Sequence, residues 1–399
     1  MAIKVTQPEI NLRKTLKDLD KPSGTAGQAM LRAETVAEQQ ALIGVGRRNL
    51  ILNGAMTVAQ RGTSVTGVTS GQLRTCDRVG AYVNTGTWTA EQVADSPDEF
   101  QKSFKITCTT GDAIGAADQV QFFYAFEGRD LAGLAKGTNS AKSFTISFWI
   151  KASKTGTSVL NVKDQTNNRH ITAEYTIDSP ATWEKKSITF PGDITGAMPF
   201  TTTADMYLEF WLKAGSNISS GSAPTNWQVF QTVNRSSGTT LDLGTGTNDY
   251  CQITGIQMEL GKVATPFEHR SYGEELALCQ RYFEVLEDLA STDSNGAASA
   301  ETLLGLGYVY TISRVMGHIN WKVTKRVNPT CTVSPVTDIQ CLSSAGAWIS
   351  ATGVDVRANK SSARLDITTA SVMPAVGEAC EVRFNTASPV GYIYINAEL

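Results

Sequence analysis

The chain has 399 residues, a length that fits two or three domains and buries ample core. Its formal net charge is −3 and 18% of its residues are charged, so it lacks the surplus of Lys and Arg that a nucleic-acid partner requires. Apolar residues make up 41%, yet no run is long enough to span a bilayer, so no membrane insertion is expected.

The first segment, 1–48, reads as helical or irregular. "NLRKTLKDLD" places Leu12, Leu16 and Leu19 on one helical face. "KPSGTAGQ" breaks it at Pro22, Gly24 and Gly27. The next candidate helix, "MLRAETVAEQQALIGVG", carries a thin stripe of Met30, Ala33, Ala37 and Ala41 and stops at Gly44. So narrow a stripe predicts packing on another chain or a larger body. The opening "MAIKVTQPEINLRKTLKDLD" shows no apolar secretory core.

From 49 to 270 the pattern is β. "KSFTISFWIKA" alternates Phe144, Ile146, Phe148 and Ile150 against Thr145, Ser147 and Trp149. "ADMYLEFWLKAG" alternates Met206, Leu208, Phe210 and Leu212 against Tyr207, Glu209 and Trp211. Alternation with one apolar face, cut by Gly- and Asn-rich turns, predicts an antiparallel jelly-roll β-sandwich. Its last strand is "QITGIQMEL". There Ile253 falls out of phase with Ile256, Met258 and Leu260, so a bulge is expected at Gly255.

"VATPFEHR" follows as a crossing segment, extended at Thr265 by Pro266. "SYGEELALCQRYFEVL" opens with Ser271 and Glu274 as a capping box, and Leu276, Cys279, Phe283 and Leu286 recur at helical spacing. This predicts a linking helix over 271–288, with Cys279 on its buried stripe. On that reading, cutting before Ser271 leaves the 49–270 sandwich folded. Beyond it, "GYVYTISRVMGHINWKVT", "AWISATGVDVRA", "SARLDITT", "ACEVRFNT" and "GYIYINAEL" predict a smaller β-sandwich over 289–399. The fold class is therefore mainly β.

Reactive patterns are sparse. The seven cysteines are scattered with no CxxC pair, so reduced, buried thiols are expected in a chain that folds in a reducing cytoplasm. His170, His269 and His318 stand far apart, outside any HExxH or HxH pattern. No GxSxG, P-loop or GxGxxG lies in a strand-to-helix context. "PGDITG" and "LGTGTNDY" read as turns before they read as Ca²⁺ loops. No catalytic residue, metal or cofactor is expected.

The motif order "RNLILNGAMTVAQRGTS", "CDRV", "TISFWIKA", "TWEKKSITFPGDITG", "LEFWLKAGS" and "ITGIQMELGKVATPFEHRSYGEELALCQRYFE" resembles a family of bacteriophage virion proteins. The resemblance covers 47–284. The segments at 1–48 and the C-terminal end also resemble tail-fibre joints and fibre ends. What this implies is a tail fibre subunit with a jelly roll like a carbohydrate-binding module, made in the host cytoplasm and located in the virion. It implies a homotrimer attached to the phage tail through 1–48, with the β domains meeting a host surface glycan or protein receptor. A capsid decoration or head fibre protein is the alternative, and a tail-borne polysaccharide-degrading enzyme is the third reading. Sugar contacts use aromatic platforms with polar rims. Of Trp88, Trp149, Trp183, Trp211, Trp227 and Trp348, the alternation turns Trp149 and Trp211 away from the apolar strand faces, which marks them for ligand or subunit contact. Trp183 is expected to pack inside the sandwich.

Overall fold

A computed structural model describes residues 47–287, 291–292, 298–299, 303–373, 375–384 and 391–399. The chain divides into two compact units, Met1–Leu50 and Ile51–Leu399. The helices expected within 1–48 lie outside the described residues.

The second unit is mainly β. In chain order its first strands are β1 (Ser64–Val68), β2 (Gly71–Leu73), β3 (Val79–Val83), β4 (Thr87–Val93), β5 (Ser103–Thr110), β6 (Gln119–Glu127), β7 (Phe144–Ala152), β8 (Gly156–Asp164), β9 (Arg169–Ile177), β10 (Glu184–Phe190), β11 (Ala204–Ala214), β12 (Gln228–Val229) and β13 (Tyr250–Leu260). They form two antiparallel sheets, ordered β1-β4-β5-β13-β7-β10 and β12-β9-β8-β11-β6-β3-β2. The sheets face each other. Phe104 meets Phe122 at 5.4 Å, and Phe148 meets Phe210 edge-on at 5.0 Å, each pair joining one sheet to the other. Aromatic pairs of this geometry add about 0.5–1.5 kcal/mol each beyond burial. The alternation in β7 and β11 is as expected, with Phe144, Ile146, Phe148, Ile150, Met206, Leu208, Phe210 and Leu212 all buried.

The bulge in β13 is present. Its register on β7 shifts between Thr254 and Gln257, and Gly255 takes a φ of +62°. The extra residue returns Ile253 and Ile256 to the same side, so both point into the core.

The predicted helix 271–288 is corrected. The helix α2 covers Tyr272–Gln280, after a short α1 at Ser216–Ser219. Ser271 caps α2, its hydroxyl accepting from the Glu274 N–H at 3.3 Å. Phe283–Glu287 is a strand, β14, whose register runs from Phe283 opposite Asn396 to Glu287 opposite Tyr392. Aromatic and β-branched residues in "FEVLE" favour a strand when such a partner is present. Nor does α2 link two separate bodies, since the sandwich and the C-terminal strands form one compact unit.

The remaining strands are β15 (Ser291–Thr292), β16 (Ala298–Ser299), β17 (Leu303–Thr311), β18 (Arg314–Asn320), β19 (Thr330–Ser334), β20 (Ile339–Leu342), β21 (Trp348–Ala358), β22 (Ser362–Thr369), β23 (Ala379–Phe384) and β24 (Tyr392–Asn396). The C-terminal region is β, as expected. Its layers take the form of a closed barrel, β17-β18-β22-β21-β20-β23, beside a three-stranded sheet β14-β24-β19. Val309, Val315, Leu365, Ile367, Val382 and Phe384 fill the barrel core. Closure leaves those barrel strands without an open edge.

Candidate functional site: an aromatic outer face

The run at 256–284 crowds His269, Cys279, several carboxylates and two arginines, and the structure packs it as architecture. Gln257 and Glu259 lie on the outer side of β13, yet both are buried because the crossing segment folds back over them. Glu259 accepts from the Thr265 N–H at 2.9 Å, and Gln257 accepts from the Glu268 N–H at 2.8 Å. Arg270 donates to the Ile51 carbonyl at 3.1 Å and faces Glu275 at 3.4 Å. Glu275 in turn accepts from the Asn53 N–H at 2.6 Å. Asn53 closes the loop around itself: its amide donates to the carbonyls of Val58 (2.8 Å) and Asp77 (2.9 Å). Motifs far apart in sequence thus interlock in one polar network.

The network continues into the C-terminal sheet. Buried Arg78 donates to Glu398 and stacks on Tyr282 at 3.6 Å. Arg281 grips Glu127 with two hydrogen bonds of 3.0 and 2.8 Å, and the Tyr282 hydroxyl adds a third at 2.6 Å. Burial drives the Cys279 thiol well above its ordinary pKa, with Asp77 and Glu275 adding to the effect. Cys279 therefore has no thiolate character to offer as a nucleophile.

The two turn-like loops hold their acids with the chain's own cations. The Lys136 ammonium sits among Asp164, Asp193 (3.0 Å), the Gly196 carbonyl (2.9 Å) and the Thr195 carbonyl (3.2 Å). Asp193, in "PGDITG", also receives Arg169 at 2.7 Å. Asp249, in "TNDY", accepts from Lys154 at 2.7 Å and from the N–H groups of Gly244 (3.0 Å) and Gly246 (2.9 Å). For both carboxyls burial works upward on the pKa. Hydrogen bonds and cations outweigh it and hold them below the usual range. Among the described residues no group of three or more His, Cys, Asp or Glu could hold a metal ion.

The outer face of the first sheet differs. One row runs across four strands, Glu91 on β4, Lys105 on β5, Gln252 on β13 and Lys151 on β7, and Trp183, just before β10, lies under the Lys151 ammonium at its end. The next row holds Thr254, Trp149 and Lys185. Trp149, Trp183 and Tyr250 are half-buried, and each has a lysine over its ring. The ammonium-to-centroid distances are 5.8 Å for Lys185–Trp149, 5.4 Å for Lys151–Trp183 and 4.9 Å for Lys105–Tyr250. Asp95 stands among them and accepts from Lys151, from the Trp183 indole N–H at 3.2 Å and from Gln252 at 3.1 Å. Burial is the largest single influence and raises its pKa, but the three donors together outweigh it and hold Asp95 below the ordinary carboxylate range. Beyond Trp149 the aromatic strip continues over the Gly255 bulge. Phe100 packs against Phe267 at 5.0 Å, and exposed His269 lies 4.9 Å from Phe267.

Of the two predicted contact residues, Trp149 belongs to this face. Trp211 does not. It is fully buried with Val159 and Ile218, beneath the Arg235 guanidinium at 4.9 Å, so it has no surface to offer a ligand. Trp183 was expected inside the sandwich and lies on the outer face beside Trp149. The β7–β10 ladder starts at Glu184 opposite Ile150, so Trp183 lies just outside it, with the Lys151 ammonium over its ring. Trp88 is fully buried, its indole donating to the Thr85 carbonyl at 2.8 Å. No helix among the described residues is long and apolar enough to cross a membrane.

No family model and no curated protein matches the sequence. Among solved structures, the enzymatically active domain of tailspike protein 4 of bacteriophage CBA120 is 12% identical, covering 53% of this chain and 21% of that one, with a TM-score of 0.29. An arabinose-bound α-L-arabinofuranosidase, MgGH51, is 9% identical over 54% of this chain and 27% of that one, with a TM-score of 0.32. The family 11 carbohydrate-binding module of Clostridium thermocellum, in complex with a mixed-linked tetrasaccharide, is 12% identical over 52% of this chain and 98% of that one, with a TM-score of 0.25. The matches thus span about a fifth to a quarter of the first two structures. At these scores the likenesses decide nothing, and the sandwich is read from its own strand pairing.

Proposed function

We propose that this chain is a bacteriophage virion protein, a tail fibre subunit that binds host surface glycan through the outer face of its first sheet. The observation that carries the glycan reading is the pairing of half-exposed Trp149 and Trp183 with hydrogen-bonding side chains in one plane. Flat apolar rings receive the C–H faces of sugars, while Asp95 and the lysines meet hydroxyl groups. The virion reading rests on the ordered sequence motifs. In this proposal residues 1–48 attach the subunit to the tail and three chains assemble together. The chain acts as a binding protein and not as an enzyme, because glycoside hydrolysis uses two carboxyl groups flanking the bond. On this face Asp95 already accepts from Lys151, Trp183 and Gln252, and the other carboxylate, Glu91, stands on β4, two strands away from Gln252 along the row.

An array of bacterial surface polysaccharides probed with the purified chain tests the glycan reading. Retention on at least one polysaccharide, lost in a W149A/W183A variant of unchanged melting temperature, supports it. Equal retention of both proteins sinks it. Crosslinking at micromolar concentration tests assembly, where a monomer overturns the trimer.

A further inference from the structure

From the same face, and resting on the glycan reading, we infer that the ligand is an acidic saccharide, one bearing carboxylate or another anionic group at intervals along its chain. Around Trp149 and Trp183, where the crossing segment that buries Glu259 does not reach, the strands and Asp95 present three ammonium groups, Lys105, Lys151 and Lys185, against two carboxylates, Glu91 and Asp95. The protein as a whole carries −3. A cationic surplus on the outer face of one sheet of an anionic protein is a local field that selects anions.

The surplus is also placed to act. Lys151 is committed to Asp95. Lys105 and Lys185 each lie over an aromatic ring, and neither has a carboxylate within 4.0 Å among the described residues, although Glu91 stands across from Lys105 on β4. They stand on β5 and β10, and β13 and β7 lie between those strands. Three inter-strand steps separate them by about 14 Å, the reach of a short oligosaccharide. An oligosaccharide laid across the strands would rest on Trp149 and Trp183. Its anionic groups would meet an ammonium at each end, and the Lys151–Asp95 pair, braced from below by buried Gln252, would bind its hydroxyls in the middle.

Stacked aromatics with lysines also suit single-stranded nucleic acid. Two uncommitted lysines on a chain of charge −3 are too few for a phosphate at every nucleotide, which favours the sparser charge of a saccharide.

The experiment compares polygalacturonate with its fully methyl-esterified form, the same backbone with its charge masked, and adds oligo-dT. Three proteins are used: the full chain, K105Q/K185Q and W149A/W183A, each checked for an unchanged melting temperature. The inference predicts that the full chain prefers polygalacturonate and that salt weakens this binding. K105Q/K185Q should bind polygalacturonate about tenfold more weakly, the worth of two exposed charge pairs, with its binding to the ester unchanged. W149A/W183A should lose both. Equal binding of the acid and ester forms by the full chain overturns the acidic inference and leaves the glycan reading standing. Undiminished binding of polygalacturonate by K105Q/K185Q overturns the acidic inference in the same way. Tighter binding of oligo-dT than of either polysaccharide overturns the inference and the glycan reading together, whereas binding of neither polysaccharide overturns the acidic inference and leaves the glycan reading to the array.

Discussion

Gly255 shows how one residue can join fold and surface. Its φ of +62° is a left-handed conformation that strains other residues, and a β-carbon there would lie 2.6 Å from the Phe100 ring and 3.0 Å from Trp149. G255A is expected to cost about 1–3 kcal/mol in urea unfolding, and to weaken glycan retention because Trp149 must shift. Lys136 makes a second case. Replacing it with Met leaves Asp164 and Asp193 buried without their shared cation, for a loss of about 3–5 kcal/mol. Added chelator should leave the melting temperature of the native chain unchanged, since the cation in this cage is covalently part of it. The bulge was legible in the sequence because Ile253 broke the phase of its strand. The burial of Trp211 was not. The residues that cover it, Ile218 on one-turn α1 and Arg235 in a loop, carry no periodic signal.

Elements were legible where the signal is local. The cap at Ser271, the alternation of β7 and β11 and the stop before the crossing segment all follow from residues within one turn or one strand. Phe283–Glu287 was not legible as a strand, because its partner Tyr392–Asn396 lies far down the chain and the apolar spacing also suits a helix. The β17–β18 hairpin turns at Ile312 and Ser313, with no Gly, Asn or Pro to mark it, so the two strands read as one. The end of β24 supplies a test at this scale. Burial alone would raise the pKa of Glu398, but Arg78, Arg74 and Arg61 outweigh it and lower it from 4.5 to about 2. A depressed carboxylate stabilises the fold above its unfolded pKa and loses that contribution as pH falls. Stability should therefore drop by on the order of 3 kcal/mol between about pH 4.5 and pH 2, measured by urea unfolding at each pH. E398Q should flatten that part of the profile and be less stable at neutral pH, where three arginines lose their anion.

At the scale of the molecule, the sandwich depends on residues beyond its last strand. Glu127, at the end of β6, is fully buried and receives three hydrogen bonds from Arg281 and Tyr282. Arg78, on the edge of β3, is buried against Tyr282 and Glu398. A chain cut before Ser271 strips Glu127 of Arg281 and Tyr282, leaving it Arg129, and strips Arg78 of Glu398 and Tyr282, leaving it the Ala125 carbonyl, so the sandwich is expected not to fold stably alone. Circular dichroism of that truncation should show loss of the cooperative β unfolding transition, and a sharp, native-like transition would contradict it. The stretches "RNLILNGAM", "CDRV" and the 256–284 run supply much of this interlock. That explains why they speak more plainly about architecture than about ligand. The contact face was only half legible, since Trp149 follows from alternation and Trp183 needs the strand register. The central claim is that this face meets glycan, and intrinsic fluorescence tests it most directly. Titrating the chain with the polysaccharide it retains should shift and quench tryptophan emission to saturation, because Trp149 and Trp183 are half-exposed while Trp88 and Trp211 are fully buried. W149A/W183A should abolish this change along with the binding. Saturable binding with the emission unaltered, or retained in full by the double variant, would contradict the claim.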